Sequence, residues 1–188
     1  MLEKTIENYD PKNEQETVDK ALILAFIKRN PDALWRSNLL GHLTASAFVV
    51  NPSMTKILFA YHKIYDSWGW VGGHCDGDAD LLAVAIKETK EETGLSAVRP
   101  YSDTIFTLDV IYVENHLKNG AYVPDHLHLN VAYLLIADET LPLQVNEQEH
   151  LAVKWFLLDE VMGHVTEPRM VAVYEKAFKA IKALRKKG

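Results

Sequence analysis

Three glutamates stand at helical spacing near the middle of the chain. Glu88, Glu91 and Glu92 occupy positions i, i+3 and i+4, so a helix would place their carboxylates on one face. Two such charges about 5 Å apart repel by about 3 kcal/mol at an effective dielectric constant of about 20. Either solvent dilutes this repulsion, or a divalent cation such as Mg²⁺ or Mn²⁺, which prefers oxygen ligands, removes it. The triplet is therefore a candidate metal site, with a solvated acidic face as the alternative.

The residues around the triplet predict the helix that positions it. A glycine-rich turn at Gly72 and Gly73 precedes the glutamates, and Gly94, which suits the left-handed conformation of a helix C-terminus, follows them. About three turns of helix fit before Gly94. A neighbouring face carries residues that can pack on a core, namely Leu82, Ala85, Ile86 and Thr89. The turn and the cap at fixed distances favour the metal-binding interpretation over a solvated face.

This segment resembles the Nudix box, which is usually written G-x5-E-x7-R-E-U-x-E-E-x-G-U, where U is a bulky apolar residue. The positions that match in register are Gly73, Glu88, Glu91, Glu92, Gly94 and Leu95. Three positions depart from the pattern: Lys87 replaces arginine, Thr89 replaces the apolar residue, and Ala79 replaces the first glutamate. Asp78 and Asp80 flank Ala79 and could cap the helix or supply the missing charge.

The resemblance implies an α+β fold, a Nudix α/β/α sandwich with a mixed central sheet. We expect a Nudix hydrolase domain over residues 41–188, preceded by an N-terminal helical extension over residues 1–40. In that extension Asn13 and Glu16 form an N-terminal capping pair, and Asn30-Pro31 ends the helix. We expect the extension to pack on its own domain, rather than to form a dimer interface or part of the substrate pocket.

The resemblance also implies the chemistry. Members of the family use Mg²⁺ or Mn²⁺ to cleave the diphosphate of a nucleoside diphosphate linked to another moiety. By resemblance, the Gly72 carbonyl and the carboxylates of Glu88, Glu91 and Glu92 are the metal ligands, and one of these glutamates or Glu149 takes a proton from the attacking water. Glu147 is the second choice for that acidic position before the last strand. Lys87, one turn from Glu91, is expected to hold a carboxylate in place.

Four residues are the candidates for substrate binding: Trp70, Gly73, Tyr112 and His128. Trp70, paired with Trp68 on one side of an extended segment, could stack on a base or pack in the core. In the family, a proline about fifteen residues after the box accompanies ADP-ribose hydrolysis, and a tyrosine slightly further on accompanies dinucleoside polyphosphates. Here Val110 holds the first position and Tyr112 lies two beyond, which leans toward a dinucleoside polyphosphate or another nucleotide.

Two histidines of one predicted strand point the same way. His126 and His128 are two residues apart, so their side chains share a face. A two-histidine metal site is one interpretation, but no third ligand is evident nearby in the sequence. Contact with substrate phosphate or sugar is another, and structural or hydrogen-bonding histidines are the default expectation.

Composition bounds the remaining possibilities. The chain of 188 residues is 48% apolar and 24% charged, as is typical of one soluble domain, and its net charge of −6 argues against nucleic-acid binding. No apolar run suits a membrane span and no signal peptide is evident, so we expect a cytoplasmic protein. The expected partner is a small nucleotide-type substrate, and a homodimer is one interpretation of its oligomeric state. Two alternatives remain: a Nudix-fold diphosphate isomerase, which would need Cys75 as its catalytic cysteine, and a non-catalytic nucleotide sensor, which the loss of the glutamate at Ala79 would suit.

Overall fold

The computed structural model describes residues 2–118 and 120–187. Its helices are α1 (Leu2–Glu7), α2 (Glu14–Arg29), α3 (Leu81–Thr93) and α4 (Pro168–Arg185), with a 3₁₀ turn at Val161–His164. Its strands are β1 (Gly41–Val50), β2 (Lys56–His62), β3 (Ser67–Gly69), β4 (Val71–His74), β5 (Arg99–Pro100), β6 (Thr107–Val113), β7 (His116–Lys118), β8 (Ala121–Val123), β9 (His126–Ile136) and β10 (His150–Leu157).

The central sheet is mixed, as expected, and β1 is its axis. Strand β9 runs parallel to β1 along the whole of β1, and the other strand pairs of this sheet are antiparallel. On the other side of β1, strand β4 pairs with residues 44–47 and strand β2 pairs with residues 49–50. Beyond that point β2 pairs with β3 instead. The sheet therefore divides beside β1, and the division leaves room for a cavity.

Helices cover both faces of the sheet and enclose two apolar cores. One face of β1, with Leu43, Ala45 and Val49, packs in a core that includes Leu81 and Ala85 of α3. The opposite face contributes to a second core with residues of α4; its members include Phe48, Val50, Tyr174, Phe178 and Ile181. This arrangement confirms the predicted α/β/α sandwich. None of the helices in the described part of the chain has both the length and the apolar character that crossing a bilayer requires.

The predicted helix of the N-terminal extension is present as α2. Asn13 caps it, because its side-chain oxygen accepts a hydrogen bond from the Glu16 backbone N–H at 2.8 Å. The helix contacts β6 through the Asp19 carboxylate, which accepts a hydrogen bond from the Val110 N–H at 2.9 Å. The boundary between an extension and a domain at residue 40 stays a prediction.

The polar run Lys118-Asn119-Gly120 predicts a loop between the strands on either side of it, but the structure has a short hairpin here. Strands β7 and β8 pair with each other, and Asn119, which the prediction placed in the loop, lies outside the described residues. The hairpin escaped prediction because its strands are three residues each and lack a pattern of alternating apolar side chains.

Candidate active site

A cavity of about 340 Å³ lies where the sheet divides. Its walls come from β1, β4, β6 and β9, from the segment that includes β3, from α3 and from the start of β10. Such a volume is in the range of small-molecule sites. Of the residues predicted for catalysis and substrate binding, those that line it are Gly72, Gly73, Glu88, Glu92, Glu149, Trp70, Tyr112 and His128.

Glu88 reaches the cavity across the glycine strand. Helix α3 packs on the far face of the sheet, so its side chains reach the cavity only past β4. A Cβ built on Gly73 would lie 2.4 Å from Glu88 Oε2, closer than real side-chain contacts allow. The missing side chain at Gly73 is therefore what leaves room for this carboxylate. Burial raises the pKa of Glu88, against the opposing effect of Lys87.

Glu92 is the most enclosed of the predicted glutamates. It is 4% exposed, and its Oε2 accepts a hydrogen bond from the Gly72 backbone N–H at 3.2 Å. His150 Nε2 lies 3.4 Å from the same oxygen. Burial raises the pKa of Glu92, while His150 and the Gly72 N–H act in the opposite direction. A carboxyl held so deeply with few donors around it is one that a bound cation would ionise.

Glu149 and His150 complete a cluster around Glu92. One donor atom from each of the three residues lies within 4.8 Å of the others. His150 was absent from the sequence prediction, although its place directly after Glu149 at the start of β10 was the available signal. Glu147, the second choice at this position, is exposed and is not among the described residues that line the cavity.

Glu91 and Lys87 lie outside the cavity. The Glu91 side chain is 55% exposed, and Lys87 Nζ contacts it at 3.6 Å and contacts Glu88 Oε1 at 3.2 Å. Lys87 thus contacts both carboxylates, and the shorter contact is to Glu88; its role in holding a metal ligand in place stays a prediction. Glu91 as a metal ligand stays a prediction, since its side chain faces solvent here.

The donor set fits a divalent cation. Two carboxylates, from Glu92 and Glu149, and the imidazole of His150 converge, and the buried Glu92 carboxyl lacks a paired ammonium or guanidinium group among its contacts. Oxygen-rich sites of this kind suit Mg²⁺ and Mn²⁺. Glu88 lines the same cavity and adds a third carboxylate.

The opposite part of the cavity is aromatic. Trp70 packs edge-on against Phe48 and Tyr174, with ring centroids 5.2 and 5.6 Å apart. Trp68 packs on Phe156 at 4.8 Å. Both tryptophans are partly buried against the α4 core and also line the cavity. The sequence left open whether Trp70 packs or faces a ligand, and the geometry allows both.

Tyr112 lies at the rim. It is 49% exposed and pairs with Leu127 of β9, so its side chain points away from the face that carries Ile111 and His128. The Tyr112 carbonyl accepts a hydrogen bond from Arg169 Nη1 at 2.9 Å. Arg169 and Arg36 are the arginines among the described lining residues, and Arg36 is paired with Asp76.

Polar side chains of β1 and β9 form a row along the cavity wall. Thr44 and Ser46 both donate their hydroxyls to Asn130 Oδ1, at 2.9 and 2.8 Å. The Asn130 Nδ2 amide is buried and has no partner among the described residues. Asn130 is among the residues that line the cavity.

Four imidazoles cluster at the end of this row. His128 lies beside His42 of β1 in the parallel register, and His74 follows the glycines of β4. The sequence showed no third ligand near His126 and His128, and the fold brings two distant histidines, His42 and His74, to them. The signal for His74 was its place directly after Gly73, whereas His42 lies 84 residues before His126 and carries no local signal.

Cys75 does not take part in the site. Its thiol is buried, burial raises its pKa to about 12, and it is not among the described lining residues. An isomerase would need a cysteine that faces the cavity, which Cys75 does not. Asp80, one of the two aspartates beside Ala79, caps α3 by accepting a hydrogen bond from the Ala83 N–H at 3.1 Å.

The chain is similar to a known protein family and to several solved structures. The family model described as the NUDIX domain matches residues 41–180. Similar solved structures include a NUDIX-family hydrolase from Clostridium perfringens (20% identity, TM-score 0.52, covering 76% of this chain and 97% of that one). A second similar structure is a C. elegans Ap4A hydrolase binary complex (19% identity, TM-score 0.54, covering 74% of this chain and 98% of that one). A third is the E. coli dihydroneopterin triphosphate pyrophosphohydrolase (13% identity, TM-score 0.54, covering 73% of this chain and 92% of that one).

At these identities the solved structures show the shared fold, and no curated protein sequence matches the chain. The family model spans well over half of the chain, from the start of β1 into α4. The chain belongs to the Nudix family, and the prediction of a Nudix hydrolase acting on phosphoric anhydride bonds is confirmed.

Proposed function

We propose that this chain is a cytoplasmic, divalent-metal-dependent pyrophosphohydrolase that cleaves the diphosphate of a nucleoside diphosphate linked to another moiety. The observation that carries the proposal is the buried Glu92 carboxylate, which meets Glu149 and His150 in a cavity that also has an aromatic wall. The cluster around Glu92 suits a diphosphate with its cations, and the aromatic wall suits an apolar or base-like group. A nucleotide derivative has both parts.

The residues take distinct roles in this proposal. Glu92, Glu88, Glu91 and the Gly72 carbonyl would hold Mg²⁺ or Mn²⁺, with Glu149 and His150 beside them. The bound ion supplies positive charge against the diphosphate oxygens and makes water more acidic. Lys87 holds the Glu88 carboxylate. Arg36 and Arg169 also line the cavity, where each is paired with a carboxylate, that of Asp76 and that of Glu167.

Glu149 is the group we assign as general base. Its carboxylate lies next to the Glu92 cluster but is itself exposed, so water can reach it. In the reaction a water oxygen forms a bond to phosphorus, the bridging P–O bond breaks, and the departing phosphate leaves with the bond electrons. Glu149 accepts the proton that the water loses.

Two positions in the sequence, Val110 and Tyr112, support the substrate class that we propose. We assign a nucleotide or a dinucleoside polyphosphate in preference to ADP-ribose, since Val110 stands where ADP-ribose hydrolases have proline. One structural neighbour is described as an Ap4A hydrolase, which supports this class. Trp70 and His128 would contact the parts of the substrate away from the cleaved bond.

A substrate panel with a matched pair of variants tests the proposal. Release of nucleoside monophosphate is measured from dinucleoside polyphosphates, nucleoside triphosphates and ADP-ribose, with Mg²⁺ or Mn²⁺. Glu92→Gln keeps the shape and removes the charge, and should lose at least about 100-fold in kcat. Glu175→Gln changes an exposed glutamate of α4 outside the cavity, and should keep wild-type rates. Full activity in Glu92→Gln contradicts the metal assignment, and preference for ADP-ribose contradicts the substrate class.

A further inference from the structure

A cluster of histidines lines the same cavity, and of its members only His128 was given a role in the proposed hydrolysis, as a substrate contact. His42, His74 and His128 each offer one ring nitrogen, and these three atoms lie within 4.8 Å of one another. His126 is the fourth member, with its ring 5.0 Å from those of both His42 and His128. The four come from β1, β4 and β9, so the strand register alone brings them together.

The hydrogen bonds of two of these rings fix which nitrogen faces the cluster. His42 Nδ1 lies 3.2 Å from the Asn38 carbonyl, and His126 Nδ1 lies 2.8 Å from the Pro124 carbonyl. A carbonyl only accepts, so Nδ1 carries the proton in both rings and Nε2 presents a lone pair in the neutral form. Metal-binding histidines are oriented in this way, through a bond from their other nitrogen to a backbone carbonyl.

The His42 lone pair is buried without a partner. Its ring is 3% exposed, and Nε2 has no hydrogen-bond partner among the described residues. An unsatisfied buried acceptor costs free energy unless an ion or another group binds it.

The spacing of the nitrogens suits one ion. His126 Nε2 and His128 Nε2 are 3.2 Å apart and share a hydrogen bond, which a common ion would replace. Two nitrogens at tetrahedral positions about 2.0–2.1 Å from zinc are about 3.3 Å apart. Purely imidazole donors favour Zn²⁺, Co²⁺, Ni²⁺ or Cu²⁺ over Mg²⁺ and Mn²⁺, which prefer oxygen. The donor set therefore differs from that around Glu92.

We propose that His42, His74 and His128 form a second metal site that takes a transition ion of the zinc type, with His126 beside it as a fourth ligand. This site is separate from the carboxylates that hold Mg²⁺ or Mn²⁺, and it does not depend on the proposed hydrolysis. Strand β4 links the two: Gly72 contacts Glu92, and His74 lies two residues, about 7 Å, along the strand.

The test uses untagged, metal-free protein and Co²⁺ alone, followed by calorimetry and by the visible absorption of four-coordinate cobalt. We expect one bound Co²⁺ per chain with nitrogen ligands, and the same result in the Glu92→Gln, Glu149→Gln double variant. His74→Ala and His128→Ala should each weaken binding at least about 100-fold, the upper end for loss of an outer-shell partner. His164→Ala, an exposed histidine outside the cavity, should bind as wild type does.

Three results would overturn the site. These are no Co²⁺ binding by the wild type, binding that survives both histidine changes, and binding lost in the carboxylate double variant, which would assign the ion to the Glu92 cluster. Crystals grown with Zn²⁺ give a readout that needs no variant, since the anomalous peak should lie between His42, His74 and His128. A rise in KM for His74→Ala without any metal binding would assign the histidines to substrate contact instead.

Discussion

Gly73 lies against the carboxylate of Glu88, so closely that a Cβ on Gly73 would meet Oε2 at 2.4 Å and Cδ at 2.6 Å. The glycine of the turn and the first glutamate of the helix face are fifteen positions apart in the chain, yet they form one contact. Helix α3 is on the other face of the sheet, so its carboxylates reach the cavity only where β4 has no side chains. The spacing between glycine and glutamate is thus a packing requirement.

Replacing Gly73 by alanine tests this contact. The added methyl must push the Glu88 carboxylate aside, and a misplacement of about 1 Å in a catalytic group can cost about 100-fold in rate. We expect kcat for nucleotide hydrolysis to fall about 10- to 100-fold while the protein stays folded. Gly163→Ala is the control, because a Cβ there meets nothing within 4 Å. Equal rates in the two variants would show that Glu88 tolerates the methyl.

Glu92→Gln should stabilise the metal-free protein while it removes activity. Burial raises the pKa of Glu92, so the folded state keeps a proton at pH values where the unfolded chain has lost it. The free energy of unfolding therefore falls as the pH rises from the ordinary glutamate range through the raised pKa, and it is unaffected below that range.

Thermal unfolding in a chelator from pH 4 to pH 8 measures this effect. The variant lacks the titrating group, so its melting temperature should exceed that of the wild type at pH 8 and approach it at pH 4. A gain of 1 kcal/mol would raise the melting temperature by about 2–4 °C in a chain of this size. Parallel curves for the two proteins would contradict the raised pKa.

Glu149→Gln should lower kcat by about 100- to 10,000-fold, as expected for loss of a general base. Its side chain is exposed and outside the apolar cores, so the melting temperature should stay close to that of the wild type. Stabilisation by Mn²⁺ should persist if Glu92 and Glu88 carry most of the binding. Glu147→Gln is the matched control two residues away. A larger fall in kcat for Glu147→Gln than for Glu149→Gln would identify Glu147 as the general base instead.

Lys176→Ala should destabilise the fold strongly. Lys176 Nζ contacts Glu16 Oε1 at 2.9 Å and Asp109 Oδ1 at 2.7 Å, and both carboxylates are buried. Removing the cation leaves two buried carboxylates without their counter-charge, which costs about 3–5 kcal/mol for a pair of this kind. Urea unfolding should show this loss, whereas Lys179→Ala, on the exposed side of the same helix, should change little.

That ion-pair network is one feature that only the tertiary structure could reveal. Asn13 and Glu16 predicted the start of α2 because capping acts between neighbours in sequence. The same Glu16 gave no hint of its burial, since its partners Lys176 and Asp109 lie far along the chain. Apolar residues of α2 such as Val18 and Leu22 are instead 59% and 40% exposed, so the buried side of that helix is partly ionic.

The metal-binding chemistry of the Nudix box could be predicted from the sequence, because that chemistry depends on local spacing. Glycine turn, helix, cap and carboxylates lie within one continuous segment, so residue types and intervals were enough to predict the Nudix fold and family. The sequence did not predict which residues share the cavity with Glu88 and Glu92. Helical spacing puts Glu91 beside them, yet the structure turns Glu91 to solvent and adds His150, the first residue of β10, next to the predicted Glu149.

The histidines show most plainly the difference between what the sequence predicts and what only the tertiary structure decides. Strand alternation was sufficient to put His126 and His128 on one face, because that relation spans two residues. His42 and His74 joined them only through the register of β1 with β9 and with β4. Helix periodicity, caps and turns are short-range and can be read along the chain, whereas the pairing of distant strands depends on how the whole core packs, and that pairing decided which imidazoles meet.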